Sequence, residues 1–182
     1  MNGSDVGLKE SCEERARAAW RLSNDLKQDL IAGTQAYWIF QKQLQSRPAR
    51  EPVPTAIRRL CLTHLVIALA KWSELYKRYK DVIPQNVIKE AKKLSKGIDK
   101  RGVVAFRNKV AGHVWDDQAK RALTVQEVEE RLSTVLGGNI DDFLLWINNP
   151  KESNSSSVVG VIERVHDQIR NERGFTEEDL LR

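Results

Sequence analysis

The sequence predicts an all-α protein, and three observations carry that expectation. Apolar residues recur at helical spacing along most of the chain, and no window alternates with period two over a convincing length. Glycines and prolines fall at the edges of these segments rather than between short strands. The expected architecture is an up-and-down helical bundle with a long N-terminal helix and a C-terminal helical appendage. The chain has 182 residues, enough for one domain.

The first helix opens at "SCEE", where Ser11 and Glu14 form a capping-box pattern, and runs to about Ser46. Leu22, Leu26, Leu30, Gly33, Tyr37, Phe40 and Leu44 line one stripe of it. "SRPAREPVP" then stops it, because prolines so closely spaced cannot continue a helix. A second helix follows Thr55, with Leu62, Leu65, Val66, Leu69, Trp72, Tyr76 and Tyr79 on its apolar face. A third begins at Pro84, a favourable first-turn residue, and carries Val87, Ile88, Ala91, Leu94 and Ile98.

After the basic connection "GIDKRG", a fourth helical segment spans about Val103 to Val114. Thr124 and Glu127 give a second capping box, opening a helix expected to run through Leu132, Leu136, Ile140, Phe143 and Ile147, with Gly137 and Gly138 inside it. "NNPKESNSSS" is a polar linker, followed by an amphipathic helix through Val158, Ile162, Val165 and Ile169 and by the acidic tail "TEEDLLR". Residues 9–149 are therefore assigned to the bundle, and residues 150–182 to linker, last helix and tail.

The N-terminal stretch lacks the apolar core of a signal peptide. The run from Leu60 to Ala70 is shorter than the roughly 20 residues that a bilayer span needs. Cys12 and Cys61 lie far apart and form no metal-type spacing. A cytoplasmic protein without membrane, metal or cofactor is expected. No phosphate-binding glycine loop and no nucleophile-elbow motif is present.

The net charge of +5 is unevenly spread. Residues 55–80 hold six Lys/Arg against one acid, residues 89–121 hold ten against four, and residues 122–182 hold six against twelve. A basic middle attracts polyanions, nucleic acid above all, although charge of this kind also serves simply to solvate helix faces.

The basic region contains "RNKVAGH", residues 107–113. On a helix of about 100° per residue, Val103, Phe106, Val110 and Val114 make a packing stripe, with Arg107 and His113 on its two shoulders, about 120° apart. Two copies packed through this stripe about a two-fold axis would bring Arg107 of one near His113 of the other. Such a pair suits metal-independent RNA cleavage. The imidazole transfers the proton of the ribose 2′-hydroxyl or of the leaving 5′-oxygen, and the guanidinium neutralises charge developing on phosphorus. An Arg and a His at this spacing also arise by chance in a basic chain and then do nothing. His64, inside an apolar run, is expected as a hydrogen-bonded core histidine, and His166 as a surface or packing residue.

The run "FRNKVAGHVWDD" resembles the signature of HEPN domains, an all-α family written R-x(4–6)-H. Arg107, Asn108 and His113 match it in place, and the resemblance is closest to HEPN proteins of abortive-infection and toxin–antitoxin systems. It implies a homodimeric, metal-independent endoribonuclease, a toxin or phage-defence component with a possible cognate antitoxin. It also implies catalytic roles for Arg107 and His113, with Asn108 supporting them by hydrogen bonding. Some members of the family keep the fold as non-catalytic RNA-binding or protein-interaction scaffolds. Around the motif, Lys100, Arg101, Lys109, Lys120 and Arg121 would hold phosphates. Trp115 would either stack a base or pack against another helix. Glu74, an acid on a basic helix, would orient His113 or Arg107.

Overall fold

The computed structural model describes residues 10–108, 115–116, 120–152 and 156–180, and within them seven α-helices dominate. They are α1 (Cys12–Ser46), α2 (Val53–Tyr79), α3 (Ile88–Lys100), α4 (Val103–Phe106), α5 (Val125–Leu136), α6 (Ile140–Ile147) and α7 (Val158–Arg173). A two-residue antiparallel ladder joins β1 (Trp115–Asp116) to β2 (Arg121–Ala122), with Trp115 opposite Ala122. The protein is an all-α bundle, as the apolar periodicity predicts.

Both capping boxes form. The Ser11 N–H donates to Glu14 Oε2 at 2.7 Å and the Glu14 N–H to Ser11 Oγ at 3.1 Å. The corresponding Thr124 and Glu127 bonds are 2.8 and 3.2 Å. Each satisfies backbone donors that a helix start otherwise leaves unpaired.

The helices α1 and α2 form a long antiparallel hairpin. Near its open end, Arg15 of α1 reaches Asp81 at 2.7 Å; further along, Asp29 pairs with Lys71 at 3.0 Å. Gly33 permits the contact between the helices. A Cβ there would stand 2.7 Å from Cδ2 of the wholly buried Leu65. By length and hydropathy α2 passes as a membrane-crossing helix, but Leu65, Val66, Leu69 and Trp72 are spent in the core of this bundle.

Several boundaries differ from the sequence expectation. α2 begins at Val53, with Pro54 in its first turn. Pro84 opens a turn rather than α3: Val87 and Ile88 both donate to its carbonyl, and α3 starts at Ile88. The helix expected to run from Thr124 to Ile147 is two helices. Gly137 adopts φ 75°, a left-handed conformation that ends α5, and the Asn139 side chain accepts from the Asp141 and Asp142 N–H groups to start α6.

The last helix is not an appendage. Val158, Ile162 and Val165 are fully buried, and α7 packs antiparallel along the N-terminal half of α1. Trp20 of α1 stacks on His166 with ring centroids 5.5 Å apart, so this histidine is a buried packing residue. His64, by contrast, is exposed, its Nε2 lying 3.2 Å from the Asp29 carbonyl. The acidic tail folds back: Phe175 is buried against Trp20, and Arg17 of α1 holds Asp179 at 2.9 Å. α3 lies between α2 and α7, tied to α7 by Arg164–Glu90 at 2.7 Å.

Two outcomes follow. Gly33→Val is expected to cost about 1–3 kcal/mol by forcing overpacking against Leu65, measured by urea unfolding. The Arg15 guanidinium holds the Asp81 carboxyl below its ordinary value of about 3.9. Because the folded value is depressed, this contribution is present above that pH and is lost as pH falls through the lower folded value. Asp81→Asn should therefore flatten part of the stability loss below about pH 4, read from unfolding midpoints across an acid series.

Candidate functional site

Gly102 turns the chain from α3 into α4 through a left-handed conformation, φ 70°, that favours glycine. Val103 and Phe106 then anchor α4 in the core. These are the first two members of the expected packing stripe; Val110 and Val114 lie outside the described residues. The regular α-helix ends at Phe106, and residues 107–108 continue as a wider, π-type turn.

This anchoring delivers Arg107 to the flank of α2, where its Nη2 donates to Glu74 Oε1. The carboxylate that sequence reasoning singled out on the basic second helix is thus in contact with the motif arginine. Arg107 is about one-third exposed, and its Nε is buried without an acceptor among the described residues. Asn108, the next residue, is exposed. His113 and Lys109 lie outside the described residues, as does the side chain of Trp115. The structure therefore brings together Arg107 and Glu74 from the expected set.

A cleft of about 310 Å³ opens beside Glu74 between α1 and α2. Asp25, Asp29 and Glu74 line it along with Lys71 and Arg78, so the cleft is mixed in charge rather than basic.

The cations expected to hold phosphates divide into two kinds. Arg101 is internal: its Nη1 donates to the Val135 and Leu136 carbonyls at 3.1 and 3.4 Å, capping the end of α5. Its guanidinium also lies 4.3 Å from the Trp146 ring centroid, and burial lowers its pKa. Arg121 grips Glu127 through two bonds of 2.7 and 2.8 Å, which hold that carboxyl far below the usual range. Lys100 and Lys120 are exposed, Lys120 at φ 53° in the turn between β1 and β2.

Sequence reasoning missed the rest of the α3 lysines and Trp146. The lysines were visible as a 3–4 repeat on one helix. The partner of Trp146, Arg101, lies far from it in sequence, and no local pattern joins them.

The fold and this site define an α-helical bundle with an arginine–glutamate pair at the end of a short, core-anchored helix. No family model matches the chain, and no curated protein matches it. Among solved structures it is similar to an integron cassette protein from the mobile metagenome of V. paracholerae. That match has 26% identity and a TM-score of 0.72 over 93% of this chain and 98% of the other.

Arg101→Ala removes a helix cap and an aromatic stack together. It should lower stability by about 1–3 kcal/mol in thermal or urea unfolding, a loss expected of a structural arginine rather than of a surface phosphate contact.

Proposed function

We propose that the protein is a cytoplasmic, metal-independent endoribonuclease of the HEPN type, acting as a homodimer in phage defence or as the toxin of a toxin–antitoxin pair. The observation that carries the reading is the Arg107–Glu74 contact, in which a core-anchored helix presents the motif arginine beside an orienting carboxylate. The likeness to a protein encoded on a mobile integron supports a role on mobile elements.

In this mechanism His113 takes the proton from a ribose 2′-hydroxyl as that oxygen attacks phosphorus. The bond from phosphorus to the 5′-oxygen breaks, and a proton is returned to the leaving oxygen. Arg107 stabilises the charge that builds on the phosphorane oxygens, and Asn108 supports the site by hydrogen bonding. Glu74 is a positioning residue that fixes the guanidinium. The products carry 2′,3′-cyclic phosphate and 5′-hydroxyl ends. Lys100, Lys109 and Lys120 hold the backbone, and Trp115 stacks a base.

A second reading is a non-catalytic RNA-binding or protein-interaction scaffold on the same fold. It is favoured by the internal engagement of Arg101, Arg107 and Arg121.

The test incubates purified protein with total RNA in EDTA. Cleavage is expected to persist with chelator and to fall at least about 100-fold in Arg107→Ala and in His113→Ala. Cleavage untouched by His113→Ala would overturn the mechanism. A folded protein that binds RNA in a gel shift and cleaves none would leave the scaffold.

A further inference from the structure

The densest run of exposed cations in the described residues lies on α3, the helix that precedes the one leading to Arg107. Lys89, Lys92, Lys93, Lys96 and Lys100 are all exposed, and none forms an ion pair among the described residues. On a helix of about 100° and 1.5 Å per residue they fall within an arc of about 100° and along about 16 Å. The same helix buries Ala91, Leu94 and Ile98 on its opposite face. Its two acids stand at the margins, Glu90 drawn to Arg164 of α7 and Asp99 beside Ser73 of α2. The lysine face is thus open along its length.

On the α7 side this face borders a cleft of about 480 Å³, lined by Lys93, Gly97, Trp146 and Arg164 among others. Gly97 sits in the last turn of α3 with nothing within 4 Å of where its Cβ would be, so the missing side chain leaves the cleft open. Trp146 in its wall is held by Arg101 at 4.3 Å. A row of cations beside a slot containing a fixed indole matches a chain of phosphates that carries flat bases. An anionic membrane fits less well, because α3 turns its apolar residues into the core and offers none for insertion.

We propose that the α3 lysine face is a binding track for single-stranded nucleic acid, with one nucleobase lodged against Trp146 in the slot that Gly97 leaves open. This deepens the reading above by naming the surface that holds the strand, and rests on it only for taking RNA as the polymer. Lys89, Lys92, Lys93, Lys96 and Lys100 contact the backbone, and the slot prefers unpaired over paired bases.

The test measures anisotropy of a fluorescein-labelled single-stranded 2′-deoxy oligonucleotide, which lacks the hydroxyl needed for cleavage, across a salt series. Each lysine–phosphate contact contributes about 0.7 to the slope of log affinity against log salt. The triple variant Lys89→Gln, Lys93→Gln, Lys96→Gln should reduce that slope by about 2 and weaken low-salt binding about tenfold or more. Gly97→Leu, whose Cβ would meet nothing within 4 Å and whose side chain would extend into the slot, should weaken binding several-fold and leave the slope unchanged.

An unchanged slope in the triple variant overturns the track. Equal affinity for duplex with a silent Gly97→Leu overturns the single-strand slot, and tighter binding to phosphatidylserine vesicles than to the oligonucleotide overturns the choice of partner. Binding as predicted without RNA cleavage sustains the track and defeats the nuclease. His113-dependent cleavage that ignores the triple variant does the reverse.

Discussion

The close approach of α1 to α2 at Gly33 is the constraint on which the rest of the molecule depends. With a side chain at that position the two helices would be held apart by the buried Leu65. In contact, they present one continuous apolar surface to which the remaining helices fit. α7 covers α1, α3 fills the angle between α2 and α7, and α4 closes against α2. The path to the candidate site runs through this contact. α2 carries Glu74, Val103 and Phe106 seat α4 in the core, and Arg107 emerges where the two helices meet.

Much of this was legible in local sequence because the physics that sets it is local. A Ser or Thr three residues before a Glu satisfies donors within one turn, and both boxes formed as their sequence implies. The prolines before α2 ended α1 because a missing N–H requires no distant partner. The errors came where a distant surface decides. An apolar stripe behind a polar linker reads equally well as an appendage or as a core helix, and α1 made α7 the latter. His64 sits in an apolar run yet points outward, because the run spans more than the buried face of α2. Gly137 and Gly138 read as a kink or a close helix contact inside one helix, whereas Gly137 in a left-handed conformation ends α5 and Asn139 two residues on caps the start of α6.

The charge pattern divides by chemistry in a way that composition hides. The described arginines near the motif are each spent internally: Arg101 on two carbonyls and an indole, Arg107 on Glu74, Arg121 on Glu127. The planar fork of a guanidinium suits such fixed, multidentate contacts. The α3 lysines are left in solvent. An ammonium on a long stem lacks that fixed fork, yet it meets a mobile phosphate from many directions. Counting both residue types together as one basic patch therefore overstates the surface around Arg107 and understates that on α3.

This division bears on how the proposed site works. A guanidinium fully neutralised by a carboxylate would be a poor ligand for phosphate, so Glu74 would seem to oppose catalysis. The geometry resolves the conflict, because among the described residues Glu74 engages Arg107 through Nη2 alone. One carboxylate oxygen therefore holds the fork through Nη2 and leaves the Nη1 donors for a phosphate. Since the side chain is about one-third exposed, charge developing on an approaching phosphate can still be met by the rest of the group. Attraction over longer distances then falls to the α3 lysines. In the proposed reaction the arginine would meet the charge that appears on phosphorus, and the lysines the charge that the polymer brings with it. One cluster serving both ends would bind ground state and transition state alike, which lowers KM without raising kcat.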